Sequence, residues 1–283
     1  MSTNKRLFLF AGYDKDGIID DALIHYVSHL SIFGDLVVCL DSDCPKSETD
    51  KLKRYTITTM ATRHGEYDFG SYKRCFQYAK DNNLLKKYDF IYLVNDSVFG
   101  PMFDIKNTIE KLDEIQTDAA GLVVAKHKTH SYMESWFIRL NRKIFLSDWF
   151  YEFISGVQHL EYKYLITIKY EHGLSNLIKN NNCSWSGLYE FYGRFTYNKP
   201  KSLFKCGCPF IKKASFIRHN GAAGNQIKYI LKHADKNAVK SVMITANRVY
   251  GENYMNCFLT NNPIKILWRK IKYALTKIKN GQI

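Results

Sequence analysis

The chain has 283 residues, 46% of them hydrophobic and 15% aromatic, which is enough apolar surface for a large buried core. No apolar stretch is long enough to cross a membrane. The formal net charge is +14, and the excess lies in residues 199–283, which contain 17 Lys and Arg but two acids; residues 1–198 contain 24 basic and 25 acidic residues. This asymmetry predicts an anionic partner for the last third of the chain: lipid headgroups, nucleic acid or a phosphorylated substrate.

Predicted strands and helices alternate through the first half of the chain. Strands are predicted at Leu7–Ala11, Leu36–Leu40, Tyr55–Thr59, Tyr88–Val94 and Ala119–Ala125. Helices are predicted at Ile18–Leu30, after Pro45, at Ser71–Lys80 and at Ile105–Ile115. This alternation predicts an α/β fold of the Rossmann type, with a mostly parallel sheet and helices on both of its faces.

The second half of the chain is less regular and rich in aromatic residues. Helices are predicted at Trp136–Phe145, Trp149–Phe153 and Gly173–Lys179, and a strand at Leu165–Lys169. We place the main domain at residues 1–220 and a basic helical extension at residues 221–283. Within this extension Asn262 and Pro263 are typical of a helix start, so an amphipathic helix is predicted at residues 263–280.

The N-terminus and the cysteines indicate the cellular compartment. The first residues contain a short apolar run without a small-residue cleavage site, which predicts a strand rather than a signal peptide. The seven cysteines are odd in number and include no C-x-x-C pair. We therefore expect reduced thiols and a cytosolic protein.

Polar side chains follow each of the first four predicted strands. They are Tyr13 and Asp14 after the first strand, Asp41 and Asp43 after the second, Arg63 and the stretch 66–73 after the third, and Asn95, Asp96 and Ser97 after the fourth. Because ligands of such sheets bind outside the carboxyl ends of the strands, we expect these residues to line one cleft.

The glycine-rich phosphate-binding loops of common nucleotide-binding proteins are missing from the sequence. No G-x-G-x-x-G follows the first strand and no G-x-x-x-x-G-K-[ST] occurs, so dinucleotide dehydrogenases and P-loop NTPases are poor candidates. A nucleotide site would then depend on a divalent cation and side chains to hold the phosphates. Asp96, at the end of a hydrophobic strand, fits the need of Mg²⁺ or Mn²⁺ for one or two carboxylates; alternatively, it caps the turn before Gly100 and Pro101.

Several motifs resemble a known family. They are EYDFGSYK (66–73), YLVNDSVFGP (92–101), ESWFIRL (134–140), YEHGLS (170–175) and CPFIKK (208–213). In this order they resemble the rhamnan synthesis protein F family, bacterial enzymes of cell-wall and O-antigen polysaccharide assembly. Asn95-Asp96-Ser97 also looks like a degenerate D-x-D element of GT-A glycosyltransferases. One departure is Glu134, where the family more often has glutamine.

The resemblance implies a GT-A-like catalytic domain that transfers a hexose or deoxyhexose, rhamnose-like, from a nucleotide sugar to a growing glycan. Asp96 would bind Mg²⁺ or Mn²⁺ against the donor diphosphate, with His219 as a second ligand unless that histidine is structural. The other expected donor contacts are Tyr13, Asp41, Asp43, Arg63, Asp68, Lys73, Asn95, Ser97 and Lys212. Among these, Asp41, Asp43 and Asp68 suit the base or ribose, and Lys73 suits phosphates. Lys212, together with Lys213 and Arg218, suits the donor diphosphate or the phosphates of a lipid-linked acceptor.

A carboxylate is also needed to take a proton from the acceptor hydroxyl. Glu171 is our first candidate, because it lies between a predicted strand and a predicted helix. A helix start also favours an acid for its dipole alone, and Glu134 and Asp148 are the competing bases.

The last predicted helix has an apolar stripe and a basic remainder. The stripe consists of Ile264, Leu267, Trp268, Ile271, Leu275 and Ile278. This pattern favours an interfacial helix on an anionic membrane, which would place the protein in the cytoplasm at the inner face of the cytoplasmic membrane, near a lipid-linked acceptor. Packing on its own domain or a dimer contact are the alternatives for this helix.

Two other functions remain open at this stage. A sugar-phosphate nucleotidyltransferase would share the cleft and the metal, but it normally has a glycine-rich basic loop after the first strand. A nucleic-acid-binding protein would use the basic last third, yet no RNA-binding signature occurs, so we expect no nucleic acid partner.

Overall fold

The computed structural model of the protein describes residues 4–279, without the side chains of Lys163, Asn220 and residues 276–279. The described chain forms two compact units. The first unit contains residues up to 96 and residues 105–193, and the second contains residues 97–104 and residues from 194 onward. This division differs from the boundary expected at 220. Residues 97–104 join the second unit because Val98 and Phe99 pair with Lys212 and Ile211 as a two-stranded antiparallel sheet.

The described residues contain ten strands. They are β1 (Arg6–Gly12), β2 (Asp35–Leu40), β3 (Thr58–Ala61), β4 (Phe90–Asn95), β5 (Val98–Phe99), β6 (Ala119–Lys126), β7 (Ser131–Met133), β8 (Phe137–Asn141), β9 (Trp185–Tyr192) and β10 (Ile211–Lys212). Eight of them form the sheet of the first unit, in the order β3-β2-β1-β4-β8-β6-β7 with β9 beside β6. β1 is parallel to β2 and β4, and β2 to β3, whereas β8 is antiparallel to β4 and β6.

Helices of the first unit flank this sheet. They are α1 (Asp21–Leu30), α2 (Lys46–Thr49), α3 (Tyr67–Asp81), α4 (Lys106–Glu114), α5 (Arg142–Phe145), α6 (Asp148–Ser155), α7 (Lys163–Ile166) and α8 (Gly173–Asn180), with 3-10 turns at Asp50–Leu52 and Leu85–Lys87 and a π-helical turn at Thr167–His172. Every residue of β1 from Leu7 to Gly12 is buried, whichever face it points to. Helices therefore cover both faces of this strand, and the predicted α/β fold with a mostly parallel sheet is confirmed.

The second unit is mainly helical outside the β5–β10 pair. Its helices are α9 (Phe195–Asn198), α10 (Pro200–Lys205), α11 (Ala214–Ile217), α12 (Gly224–His233), α13 (Lys236–Tyr250), α14 (Glu252–Phe258) and α15 (Pro263–Lys279), with a 3-10 turn at Arg218–Gly221. The start of α15 is as predicted, because Asn262 Oδ1 accepts hydrogen bonds from the backbone N–H groups of Ile264 and Lys265. Residue 280, the last of the predicted helix, lies outside the described residues.

Two predicted elements were wrong in type. Residues 136–145, predicted as a helix, form strand β8 and the short helix α5. β8 lies between β4 and β6 and is buried from Phe137 to Leu140, so it lacks the alternation that separates a strand from a buried helix. Residues 165–169, predicted as a strand, belong to α7 and the π-helical turn. There, the packing of Tyr170 on Phe69 overrides the local preference of β-branched residues.

Within residues 4–279, none of the helices has both the length and the apolar composition needed to span a bilayer.

Candidate functional site

The register of the parallel strands brings the predicted polar residues to one edge of the sheet. Gly12 of β1 lies beside Leu40 of β2, and Ala11 lies beside Asn95 of β4. In the same way, Leu40 lies beside Ala61 at the end of β3. The residues that follow these four strands therefore leave the sheet side by side, as the sequence predicts.

Asp96 lies at this edge and is half-buried. Its backbone N–H donates to the carbonyl of Ala11 across 3.0 Å, which continues the pairing of β4 with β1. A Cβ atom added to Gly12 would lie 3.9 Å from Asp96 Cγ. The carboxyl group thus lies over the glycine at the end of β1, at the strand ends and outside the fully buried core.

Asn95 links a second carboxylate to the end of β4. Its side chain is 1% exposed, and its Nδ2 donates to Oδ2 of Asp68 across 3.1 Å. Asp68 lies in the first turn of α3, the helix that leads away from this edge. Asp68 and Asp96 are therefore held at the same edge, on the two elements that meet at Asn95.

Asp41 and Asp43 shape the loop that follows β3. Oδ1 of Asp41, a 5% exposed residue, accepts hydrogen bonds from the backbone N–H groups of His64 and Gly65, each across 2.8 Å. Oδ1 of the exposed Asp43 accepts from the backbone N–H of Arg63 across 2.8 Å. These atoms are committed to the loop, so any ligand contact by the two aspartates would use their other oxygens.

Arg63 and Tyr13 form an exposed pair at the same edge. The Arg63 guanidinium carbon lies 4.8 Å from the centroid of the Tyr13 ring, and Tyr13 is 48% exposed. Arg63 Nη1 also donates to the backbone carbonyl of Asp41 across 2.9 Å. The pair thus presents a positioned cation and an aromatic face, which suit a phosphate and a base.

Lys73 is engaged within the first unit. Its Nζ donates to the carbonyl of Val157 across 2.7 Å and lies 3.2 Å from Glu66 Oε2. Arg74 Nη1 donates to the same Glu66 oxygen across 2.6 Å. Burial raises the pKa of Glu66, but hydrogen bonds from Arg74 and Lys73 outweigh it and hold this pKa below its usual value. A phosphate contact by Lys73 would require these bonds to break.

The start of α3 explains the glycine of the tyrosine-aspartate-phenylalanine-glycine element. A Cβ atom on Gly70 would lie 2.2 Å from Glu66 Cβ and 2.9 Å from His64 Cε1. Tyr67, between them, has a φ of 57°, which is unfavourable for a residue with a side chain. A residue larger than glycine would displace the loop that Asp41 holds.

His64 lies buried beside this loop and was not predicted from the sequence. Its side chain is 3% exposed, its Nδ1 accepts from the backbone N–H of Glu66 across 3.1 Å, and its Nε2 lies 3.0 Å from Ser71 Oγ. The only sequence signal for it was its position shortly after a strand.

Glu171 reaches this region through Ser135. Its Oε1 accepts from the backbone N–H and the hydroxyl of Ser135, across 2.6 and 2.8 Å. The Tyr72 hydroxyl donates to the Ser135 carbonyl across 2.9 Å. Burial, and then the charge of Asp68, raise the pKa of Tyr72 well above its usual value, and Glu171 adds to this. Two carboxylates therefore approach one buried tyrosine, although Glu171 lies in the π-helical turn and not at a helix start.

The two competing bases lie in different surroundings. Glu134 is 4% exposed, and its Oε2 accepts from the Trp136 indole across 2.7 Å. Asp148 lines a cavity with Lys80 and Asn83 at the far end of α3. Because a helix of this length spans about 22 Å, Asp148 is remote from Asp68 and unsuited to act on the same substrate.

Ser97, Lys212 and His219 belong to the second unit. Lys212 is 6% exposed, and its Nζ donates to Ser97 Oγ across 3.0 Å. The pairing of β10 with β5 holds these two residues together. His219 Nε2 lies 3.2 Å from Arg218 Nε and 3.1 Å from Asn198 Oδ1. Metal ligation through this nitrogen would require the Arg218 contact to break.

Among residues 4–279, no three His, Cys, Asp or Glu side chains are arranged to hold a metal ion by themselves. A cation at Asp96 would therefore need oxygens from its substrate, which is the usual arrangement for Mg²⁺ at phosphates. The half-buried Asp96 carboxylate offers an oxygen ligand of the kind that such a hard cation prefers, and Asn95 holds the Asp68 carboxylate at the same edge of the sheet.

The fold and the site define an α/β protein with carboxylates at the carboxyl ends of its parallel strands. The chain belongs to the rhamnan synthesis protein F family, whose profile matches residues 36–275. The family expected from the motifs is thereby confirmed, and it supports a nucleotide-sugar glycosyltransferase that acts in polysaccharide synthesis.

Two further comparisons were made with known proteins. A search of the curated proteins finds no match. Among solved structures, a protein described as a nucleotide-diphospho-sugar transferase from Desulfovibrio desulfuricans G20 is 17% identical, with a TM-score of 0.41; the match covers 90% of this chain and 99% of that chain. The family match is what identifies the chain.

Proposed function

We propose that this protein transfers a rhamnose-like hexose or deoxyhexose from a nucleoside diphosphate sugar to a growing, lipid-linked bacterial surface polysaccharide such as an O-antigen. The observation that carries this proposal is the carboxylate of Asp96 at the carboxyl ends of the parallel strands. Asp68 and Glu171 lie at the same edge, connected through Asn95 in one case and through Tyr72 and Ser135 in the other. A GT-A-like transferase needs a carboxylate at the site of the sugar donor, a catalytic base, and parallel strands whose carboxyl ends bind the substrates.

The donor would bind in the first unit with its diphosphate toward Asp96. Mg²⁺ or Mn²⁺, when bound there, would neutralise the charge that develops on the leaving nucleoside diphosphate. Asp96 would hold this cation, and Asn95 keeps Asp68 turned toward the same edge. The Tyr13 ring and the Arg63 guanidinium would receive the base and a phosphate or ribose oxygen.

Glu171 would act as the base in this reaction. Two donors of Ser135 fix its Oε1, so the carboxylate keeps one orientation. A carboxylate held in this way can accept the proton of an acceptor hydroxyl as that hydroxyl attacks the anomeric carbon. Glu134, buried against Trp136, would instead support the turn between β7 and β8 that carries Ser135.

Helix α15 would hold the protein at the inner face of the cytoplasmic membrane. The described residues of its apolar stripe are strongly exposed, from 40% for Ile271 to 66% for Ile264, and Trp268 is 60% exposed. Lys265, Lys270 and Lys272 of this helix are exposed as well, and each basic residue near anionic lipid contributes about 1 kcal/mol to binding. An exposed apolar stripe with flanking lysines suits an interfacial helix beside a lipid-linked acceptor.

A thermal-shift experiment tests the proposed reaction class. A nucleoside diphosphate with Mn²⁺, at about 100 times its dissociation constant, should raise the unfolding free energy by about 2.7 kcal/mol. A panel of nucleotide sugars then identifies the donor by hydrolysis or transfer. Stabilisation that requires a nucleoside triphosphate and a sugar phosphate, with none from nucleoside diphosphates, would instead indicate a nucleotidyltransferase.

The membrane contact is tested separately by flotation with phosphatidylcholine vesicles that contain phosphatidylglycerol. Leu267→Asp should abolish flotation, because it places a charge in the apolar stripe. Ile32→Asp changes a residue of the first unit that is 73% exposed and should leave flotation unchanged. Equal flotation of both variants would contradict a role for α15.

A further inference from the structure

Two cationic side chains of the second unit lie over the ring of Tyr197, and a third, Arg194, lies near one of them. The guanidinium carbon of Arg218 lies 5.2 Å from the centroid of this ring, and Nζ of Lys212 lies 5.5 Å from it. Arg194 lies near enough to Arg218 for its charge to act on that guanidinium. Strand β10 carries Lys212, the turn Arg218–Gly221 carries Arg218, and Arg194 directly precedes the short helix α9.

No carboxylate of the described residues pairs with either of the two arginines. Within residues 4–279, neither Arg194 nor Arg218 forms an ion pair with a carboxylate, and the Nη atoms of Arg218 donate to none of the described residues. Burial, and then the like charge of Arg194, lower the pKa of Arg218. Placing guanidinium groups near each other is unfavourable unless an anion offsets their repulsion.

The guanidinium of Arg218 is also positioned by a contact with His219. Its Nε donates to Nε2 of His219 across 3.2 Å, and the same nitrogen of His219 lies 3.1 Å from Asn198 Oδ1. His219 adopts a φ of 54°, an unfavourable conformation that the surrounding contacts must stabilise. The contact with His219 uses Nε, which leaves the Nη edge as the part that can bind an anion.

We infer that Arg194, Lys212 and Arg218 form a binding site for a phosphate or diphosphate group. A guanidinium edge and a nearly buried ammonium are the donors that bind phosphate oxygens with charge-assisted hydrogen bonds. The ligand class follows from the cluster alone, and only the origin of the diphosphate, in the donor or in a lipid-linked acceptor, rests on the proposed function.

The neighbourhood of the cluster favours the acceptor as that origin. The ring of His219 packs against Tyr273 of α15, with centroids 4.4 Å apart. α15 is the helix with the exposed apolar stripe, so the arginine cluster lies beside the part of the second unit that suits a lipid surface. A phosphate attached to a lipid would bring its anion to the cluster and its chain to this helix.

Isothermal titration with inorganic pyrophosphate tests the site without any turnover. Arg218→Gln should weaken pyrophosphate binding by about tenfold or more, and Arg194→Gln, which changes an exposed side chain, should weaken it in the same direction. Lys201→Gln is the matched control, because Lys201 also lies over a tyrosine ring of this unit, Tyr229, at 4.0 Å. Equal losses in Lys201→Gln and Arg218→Gln, or no loss in either arginine variant, would overturn the inference.

A second titration assigns the origin of the phosphate. If the cluster binds the acceptor, Arg218→Gln weakens binding of geranyl diphosphate and leaves that of a nucleoside diphosphate unchanged. If the cluster binds the sugar donor, Arg218→Gln instead weakens the binding of the nucleoside diphosphate. Because both measurements are of binding, a failure to observe glycosyl transfer would count against the proposed reaction and not against this site.

Discussion

The assignment of Glu171 as the base leads to a test with a defined magnitude. In Glu171→Gln, the amide oxygen can still accept both hydrogen bonds that Ser135 donates to Oε1. The fold should therefore lose only about 1 kcal/mol, since charged hydrogen bonds become neutral ones. The amide is not basic, so kcat should fall by about 10²–10⁴-fold, the usual contribution of a general base, while the KM of the donor stays nearly constant.

Product formation at saturating donor and acceptor measures this loss, with circular dichroism to confirm the fold. Glu134→Gln is the matched control: its oxygen can still accept the Trp136 indole bond, so kcat should change by no more than about threefold. The reasoning is refuted if Glu171→Gln keeps near-normal kcat. A large loss in Glu134→Gln alone would move the base to that residue.

Two further predictions concern the start of α3. Gly70→Ala should destabilise the protein by about 1–3 kcal/mol in urea denaturation, because the new Cβ would lie 2.2 Å from Glu66 Cβ. The control is Gly173→Ala, whose Cβ would have its nearest contact at 3.9 Å and which should be neutral or stabilising. Equal effects of the two substitutions would contradict the packing account. Glu66→Gln should lower the unfolding free energy by roughly 1 kcal/mol at neutral pH, since solvent screens part of its pairing with Arg74 and Lys73. Because the pKa of Glu66 is lowered in the folded state, this difference should be present above the usual glutamate pKa and vanish as the pH falls through the lowered value; a difference that persists at low pH would argue against the ionic origin.

The first half of the fold could be predicted because hydrophobic strands and amphipathic helices alternate there with clear boundaries. β8 could not, because a central strand buried on both faces has the same composition as a buried helix. The π-helical turn could not be predicted either, because its β-branched residues favour a strand locally. Its conformation depends on Tyr170, which packs on Phe69 far away in the sequence. β9 was missed because only its pairing with β6 identifies it.

The candidate site could likewise be predicted only in part. The position of Asp96 follows from the rule that parallel strands end at a common edge, which needs no knowledge of side-chain partners. Lys73 was expected to bind phosphate, yet its partners, Glu66 and Val157, come from a loop and from a distant turn. His64 belongs to none of the sequence motifs. Partners brought together by tertiary packing are not visible in local sequence patterns.

The most direct test of the central claim is the binding of a nucleoside diphosphate to Asp96→Asn, titrated with and without Mn²⁺. The exchange keeps the size of the side chain, so the fold should be preserved. The wild type should bind the nucleoside diphosphate at least about tenfold more tightly with Mn²⁺, and the variant should lose this dependence. A variant that keeps the full effect of Mn²⁺ would show that the carboxylate at the end of β4 does not hold the cation.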